Sequence, residues 1–423
     1  MSSESIAPAA HAASRWRQWV LAFSVLACAG IAALGWTWWT DARYRAAMED
    51  IEADVFGGRY ATACRKLETL LSWNRDSKGG IRYLLGSCEL ARGRADAAAT
   101  AWAGVNPGSA FWEKAIRGRV RLLRESGQLA AAERLIIDEA GGSGSKHASL
   151  ESLLVPIYAD LGRFDEAARI IEDLWKRDDA RGQGALEPAI RLLRQHIDTT
   201  LRLNSVDSVR ATLTRAAKLA PDDDRVWLGL ANLAIRTGDL DEAERRLDAC
   251  QKRKPVDPEV WRARLRWAMA SGKPEVVREA LGQLTGDDPA LEHRTNAWLA
   301  ANRGDLPAER RSLESLLEVA PADVAALGRL ASIAEKEGAS ARAAELRTRQ
   351  TQIERLLERY LKLHDRNQPI RDATLMAGLA EQLGRPFEAM GFLTIAASED
   401  PERADLKRDL ARIKAQLAAP LAR

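Results

Sequence analysis

The sequence predicts an all-α protein, a solenoid of about ten helical hairpins preceded by one N-terminal transmembrane helix. Three observations carry this. Glycines recur about every 34 residues between amphipathic runs. The composition is dominated by strong helix formers, with aromatics at only 6%. A single run of 23 uncharged residues lies near the N-terminus.

The charge balance narrows the function. There are 63 basic and 60 acidic residues, a net +3 over 423 residues. A nucleic-acid binder usually carries a large basic excess, so no nucleic-acid partner is expected. The 15 prolines and 29 glycines are too few for a disordered or collagenous chain. The four cysteines, Cys28, Cys64, Cys88 and Cys250, form no CxxC pair. The five histidines are scattered, with no HExxH. No metal site, cofactor fingerprint or nucleophile elbow is present, so the chain is not expected to be an enzyme.

In chain order, residues 1–15 form a disordered tail and residues 16–40 a signal-anchor helix. Gln18 to Thr40 would extend about 34 Å as a helix, enough to cross a bilayer core. Trp16 and Trp19 flank one end, and Trp36, Trp38 and Trp39 the other, as at membrane interfaces. Arg15 and Arg17 before the span favour a cytoplasmic N-terminus, leaving the rest of the chain outside the cytoplasm. Val25-Leu26-Ala27-Cys28 loosely resembles a lipoprotein cleavage box, but apolar sequence continues past it, so Cys28 reads as a membrane residue.

Residues 41–423 are periodic. Gly58, Gly93, Gly127, Gly162, Gly238, Gly272, Gly304, Gly338 and Gly384 each end a helical run, and Asn204 takes the place once. Five residues after most of them comes a small residue, Ala63, Ala98, Ala132, Ala167, Ala243, Ala343 or Ala389, with Val209, Val277 and Glu309 as departures. Four further on stands a large apolar one, such as Leu67, Trp102, Ile136, Ile171 or Leu247. Prolines close units at 221, 255, 289, 321 and 401. The small residue lets paired helices approach, and neighbouring pairs must stack to bury their apolar faces. Two steps are long. That of 42 residues holds the polar insertion 177–186, and that of 46 contains the helix-favouring stretch Ala341 to Leu363, which extends one helix. Residues 402–423 form a capping helix. The segment 141–146 is a connector without P-loop spacing.

The unit Asp224 to Pro255 carries Trp227, Leu230, Ala231, Gly238, Ala243, Leu247 and Pro255 at signature positions of one family. Trp261, Gly272 and Pro289 repeat the pattern, and 161–174 matches again. This resembles the tetratricopeptide repeat, or TPR. The resemblance implies a superhelix whose first helices line a concave groove, and that the groove positions are Arg194, Asp198, Arg225, Asn232, Arg262, Arg266, Met269, Arg294 and Trp298. Arg forks suit carboxylates, Asn can bond a peptide backbone, and an aromatic can anchor a partner. The expected ligand is an acidic or C-terminal peptide segment of another protein. The match to the family's carboxylate clamp is partial, because Asn232 fits one place and the usual lysines are absent. Arg is so abundant here that the same side chains also read as a solvated face.

The remaining singled-out residues read as structure. Trp227, Trp261 and Trp267 are expected in the packing between helices. Cys64 and Cys88 are expected as buried thiols, a disulfide being the alternative outside the cytoplasm. Tyr158 and His196 are polar residues within apolar faces, with no partner identifiable from sequence.

Bacterial proteins with one N-terminal span and a TPR domain often serve envelope assembly, secretion or protein maturation. The resemblance therefore implies a membrane-tethered interaction scaffold of the bacterial envelope. A non-catalytic subunit of a membrane enzyme complex is the alternative. The lipopolysaccharide-assembly relative is disfavoured because its paired cysteines are absent. The cytochrome-maturation type is disfavoured because only one span is visible.

Overall fold

The computed structural model describes residues 38–40, 42–73, 79–141, 148–180, 186–202, 204–284 and 288–418. The tail and nearly all of the 16–40 span lie outside these residues. Among the described residues no helix is long and apolar enough to cross a membrane. All regular structure described is helical, and it divides into two compact units that meet between Leu122 and Leu123.

The first unit holds α1 (42–56), α2 (Tyr60–Ser72), α3 (Gly80–Ala91), α4 (Ala95–Ala103) and most of α5 (Trp112–Glu125). Helix α3 packs against both α2 and α4. Ile51, Ala63, Cys64, Leu67, Leu70, Ile81 and Cys88 make its core. The two cysteines are buried free thiols, and burial, with Cys64 beside it, pushes the Cys88 thiol up to about 11.

The second unit opens with α6 (Leu129–Gly141), α7 (Ala148–Glu151), α8 (Leu154–Asp160), α9 (Phe164–Ala180), α10 (Leu186–Leu201) and α11 (Val206–Leu219). Four regular pairs follow: α12 (Asp224–Thr237) with α13 (Leu240–Arg253), α14 (Pro258–Ala270) with α15 (Pro274–Gln283), α16 (Pro289–Asn302) with α17 (Leu306–Val319), and α18 (Val324–Lys336) with α19 (Ser340–Arg366). The chain closes with α20 (Ala373–Gln382), α21 (Pro386–Glu399) and α22 (Ala404–Ala418). Helix α19 has 27 residues, which accounts for the long 46-residue step.

Local chemistry explains the regularity. All nine repeat glycines adopt positive φ, from 65° at Gly384 to 85° at Gly127. That left-handed conformation costs other residues about 1–2 kcal/mol, so glycine marks each turn. In several units an aspartate then caps the next helix. The Asp239 side chain accepts from the Glu242 N–H at 3.2 Å, and Asp305 from the Ala308 N–H at 3.0 Å. The small residues are buried where helices cross, Ala63, Ala98, Ala132, Ala167, Ala243 and Ala389 completely. Glu309 takes that place once and is buried, its carboxylate held by Arg329.

The expected tryptophans pack as read. Trp261 and Trp267 are buried and Trp227 is half-buried against the same core. The indoles of Trp227 and Trp261 each donate at 2.7 Å to the carbonyl of the proline six residues earlier, Pro221 and Pro255, which pins the loop between units.

Among the described residues of the second unit, the array departs from a one-dimensional stack around α10. The turn at Asn204 does not make a hairpin, and α10 does not lie along α11. Helix α11 packs instead on α8 and α12. The Asn204 side chain donates to Asp160 at 3.1 Å, and its carbonyl accepts from Arg236 at 2.7 Å. Leu161, at the end of α8, lies against Gly229 of α12. So α8, backed by α11, continues directly into the α12 pair, and α9 with α10 is an inserted hairpin. The free side of α10 packs on α21, about 190 residues away in sequence. A strict solenoid has only neighbour contacts. This unit closes on itself through the inserted hairpin.

Candidate functional site

The residues that sequence places in a groove fall in two separate locations. Asn232, Arg262, Arg266, Arg294 and Trp298 stand on the successive first helices α12, α14 and α16. Their starts are fixed by the caps Asp223, Asp257 and Asp288, with Pro258 and Pro289 in the first turn of α14 and α16. Arg194 and Asp198 lie instead on α10, at its joint with α19.

On the first face, Asn232 is the centre. Its Nδ2 donates to the carbonyl of Leu161 at 3.0 Å, and its Oδ1 accepts from Arg266 at 3.0 Å. The turn from α8 to α9 therefore sits against α12. Gly162 makes this possible: a Cβ there would stand 2.8 Å from that of Asn232. Beyond the turn, Asp165 of α9 lies 3.8 Å from the Arg262 guanidinium, and Arg169 lies 3.4 Å from the buried Glu259. Arg262 also donates to Glu259. Burial, opposed by Arg163 and reinforced by the Glu259 charge, raises Glu166 above the usual carboxylate range. A cleft of about 310 Å³ remains beside the turn, lined by Phe164, Val209, Asn232, Leu233, Arg236 and Arg266.

The other predicted groove residues have partners too. Arg225 donates to Glu133 of α6 and, at 3.0 Å, to its own cap Asp223. Tyr158 of α8 donates to the same Glu133 at 3.0 Å, so Tyr158 and Arg225 belong to one buried network. Arg294 donates to Asp323, the cap of α18, at 2.9 Å. Met269 and Trp298 pack half-buried against the core formed by α12 to α16.

At the second location, Arg194 donates to the His364 carbonyl at 3.0 Å, and Asp198 lies 2.8 Å from Nε2 of His364. Burial opposes the charge of Asp198, but the bond to His364 and the nearby arginines hold its carboxyl below the usual value. Two residues from each, on the other side of α10, His196 places Nδ1 at 2.8 Å from Glu388 of α21. Glu388 also accepts from Tyr360 of α19 at 2.9 Å and from Arg385. Glu388 is wholly buried. Burial opposes its charge, yet His196 and Arg385 hold its pKa at about 2. An adjoining cleft of about 630 Å³ is lined by Trp175, His196, Phe387, Glu172, Lys176 and Lys414.

Sequence reasoning missed three things here. It did not place the acidic start of α9 on the α12–α14 face, it left His196 and Tyr158 without partners, and it did not single out Glu388. The signals present were the 42-residue step and polar residues at buried helical positions. Neither names the element on the other side. Among the described residues no group of three or more His, Cys, Asp or Glu could hold a metal ion.

The tetratricopeptide repeat family profile matches residues 202–266, which run from the end of α10 through most of α14. No curated protein matches the chain. Among solved structures, a tetratricopeptide repeat protein from Parabacteroides merdae is 13% identical, with 57% of this chain and 93% of that one covered and a TM-score of 0.27. The Cut9–Hcn1 hetero-tetramer of the APC/C is 12% identical over 86% of this chain and 95% of that one, with a TM-score of 0.24. The P58(IPK) TPR domain is 16% identical over 89% and 99%, with a TM-score of 0.24.

Proposed function

We propose that this protein is an interaction scaffold whose second unit binds a peptide segment of another protein on the face made by α12, α14 and α16. One observation carries the reading: this face already holds a peptide segment, its own. Asn232 grips a backbone carbonyl, as a peptide-binding Asn does, and Arg262 faces a carboxylate. Arg266 and Arg294 are exposed beside them, with Trp298 half-buried on the next turn of α16. A ligand of the same chemistry has an exposed main chain and acidic side chains or a terminal carboxylate.

The tether belongs to the same proposal. The 18–40 run, with tryptophans at both ends, supports a single membrane crossing with the N-terminus in the cytoplasm and the repeats outside it. Such a placement suits envelope assembly, secretion or protein maturation.

Crosslinking in cells, followed by identification of the bound proteins, tests the reading. The intact chain is expected to capture a discrete set of proteins. Replacing Arg262, Arg266 and Arg294 together by Glu is expected to remove them. An unchanged set in the triple variant sinks the groove assignment, and a C-terminal reporter active in the cytoplasm sinks the topology.

A further inference from the structure

The α9–α10 hairpin is attached differently at its two ends. At the start of α9 it is continuous with α8, whose end is held by Asn232, and its Asp165 faces Arg262. On its far side α10 meets α19 and α21 through a joint rich in titratable side chains. The hairpin thus runs from the face described above to α19 and α21 near the end of the array.

The geometry of the joint is specific. His196 lies between two carboxylates on different helices: Glu388 of α21 is 2.8 Å from Nδ1, and Glu172 of α9 is 3.6 Å from Nε2. A neutral imidazole carries one N–H and an imidazolium carries two, so only the protonated ring presents a donor to both sides. His196 is 7% exposed and Glu388 is wholly buried, so the pairing takes place out of water, where losing the ring's charge weakens it even though Arg385 and Tyr360 still reach Glu388. The backbones also approach closely. At Gly391 of α21 an added Cβ would stand 2.3 Å from a methyl of Leu193 on α10.

We infer that this joint is a proton-operated clasp: with His196 charged it fastens the α9–α10 hairpin to α21, and with His196 neutral the hairpin loosens and the start of α9 lifts from Arg262. The last part rests on the binding reading given above, while the clasp itself does not.

The surroundings set the sign. Burial works against charge on His196, but the Glu172 and Glu388 carboxylates outweigh it, with Arg385 opposing them, and the pKa is raised above 6.5. Lys176 of α9 and Lys414 of α22 line the same cleft, and Tyr360 of α19 reaches Glu388 from the other side. On α10 itself, Arg194, Asp198 and Arg202 face His364 and Asp365 at the end of α19. A raised histidine pKa gives stabilisation that is complete below the unfolded value and is lost as pH rises through the folded one. The clasp is therefore shut in mild acid and loosens as pH rises through that raised value.

Hydrogen exchange on the full chain, at about pH 6 and about pH 9 and corrected for intrinsic rates, tests this. The expected result is a several-fold loss of protection at the higher pH in α10, α21 and residues 161–169, with α13 to α17 unchanged. The His196→Gln variant is expected to show the loosened pattern at both pH values. Gly391→Leu should do the same by wedging the helices apart, while Gly378→Ala on α20, which points into open space, should behave as wild type. Equal protection of α10 and α21 at both pH values in the wild type overturns the clasp. So does a pH response that survives in His196→Gln, or a Gly391→Leu chain as protected as wild type. Loosening of α10 and α21 with residues 161–169 still protected overturns the release of the face alone and leaves the binding reading to its own test.

Discussion

Gly86→Ala in α3 is expected to destabilise the first unit, although the same change in an open helix stabilises. The reason is Trp102. Its indole is 5% exposed, and its N–H donates to the Tyr83 carbonyl at 3.0 Å. Gly86 abuts the pyrrole end and Gly118 of α5 the benzene end: a Cβ at 86 would stand 2.4 Å from Nε1, and one at 118 would stand 2.6 Å from Cζ3. Replacing a mid-helix glycine by alanine ordinarily gains about 1 kcal/mol. Relieving the overlap means moving a rigid ring confined at both ends, and overpacking of this kind costs about 1–3 kcal/mol. The net expectation is a loss of up to about 2 kcal/mol for Gly86→Ala, and a larger one when Gly118→Ala is added. Trp102→Ala alone should cost about 3–5 kcal/mol. In that background the sign at position 86 reverses, and alanine becomes stabilising by up to about 1 kcal/mol. Local opening free energies of α3 and α5 from hydrogen exchange read all four corners of the cycle without assuming one transition for the whole chain. Stabilisation by Gly86→Ala with Trp102 present would refute the reasoning, as would additivity of the two changes.

Other expectations follow from the turns and the charged joint. Gly238 has φ 81°, and a Cβ there would meet no atom within 4 Å. Ala at this position should therefore cost about 1–2 kcal/mol in thermal unfolding through backbone strain alone, and Asn clearly less. Equal costs for the two would show that something other than the left-handed conformation is at work. Glu388 is ionised and its pKa is depressed from 4.5 to about 2, so it contributes stability that is present above about pH 4.5 and lost as pH falls toward 2. The amount is on the order of 3 kcal/mol. Denaturant titration across that range should show this acid limb in the wild type and a much shallower one in Glu388→Gln, and identical limbs would contradict the assignment. Asn232→Ala leaves the Leu161 carbonyl without its donor and should cost about 1–2 kcal/mol, seen as faster exchange at residues 161–166. An unchanged rate there would mean that the turn is held by other contacts.

How much could be read in advance depended on the range of the interaction. The glycine of each turn was legible because a left-handed φ is a demand of one residue on its own backbone. The alanine five residues on was legible because two helices joined by a short turn must cross at a fixed register. The positions on α12, α14 and α16 came from the resemblance to the tetratricopeptide repeat, which also put Arg194 and Asp198 with them, although these two lie at α19. What occupies that face was not legible. Asp165 is an ordinary helix-start acid by sequence, and nothing local says that it lies near Arg262, ninety-seven residues on.

By itself, the sequence determined the helical class, the period, the turn positions and the small residues at the crossings, because each is a constraint within one hairpin. Only the tertiary structure decided that α10 leaves the stack and joins α21, and that His196 meets Glu388. It likewise decided that Arg262 and Arg294 already face carboxylates, and that Arg266 is bound to Asn232. The apolar stripe of a helix states that it must be covered, but not by which helix. When one turn fails to form its hairpin, the choice passes from chain connectivity to shape and charge across nearly half the chain.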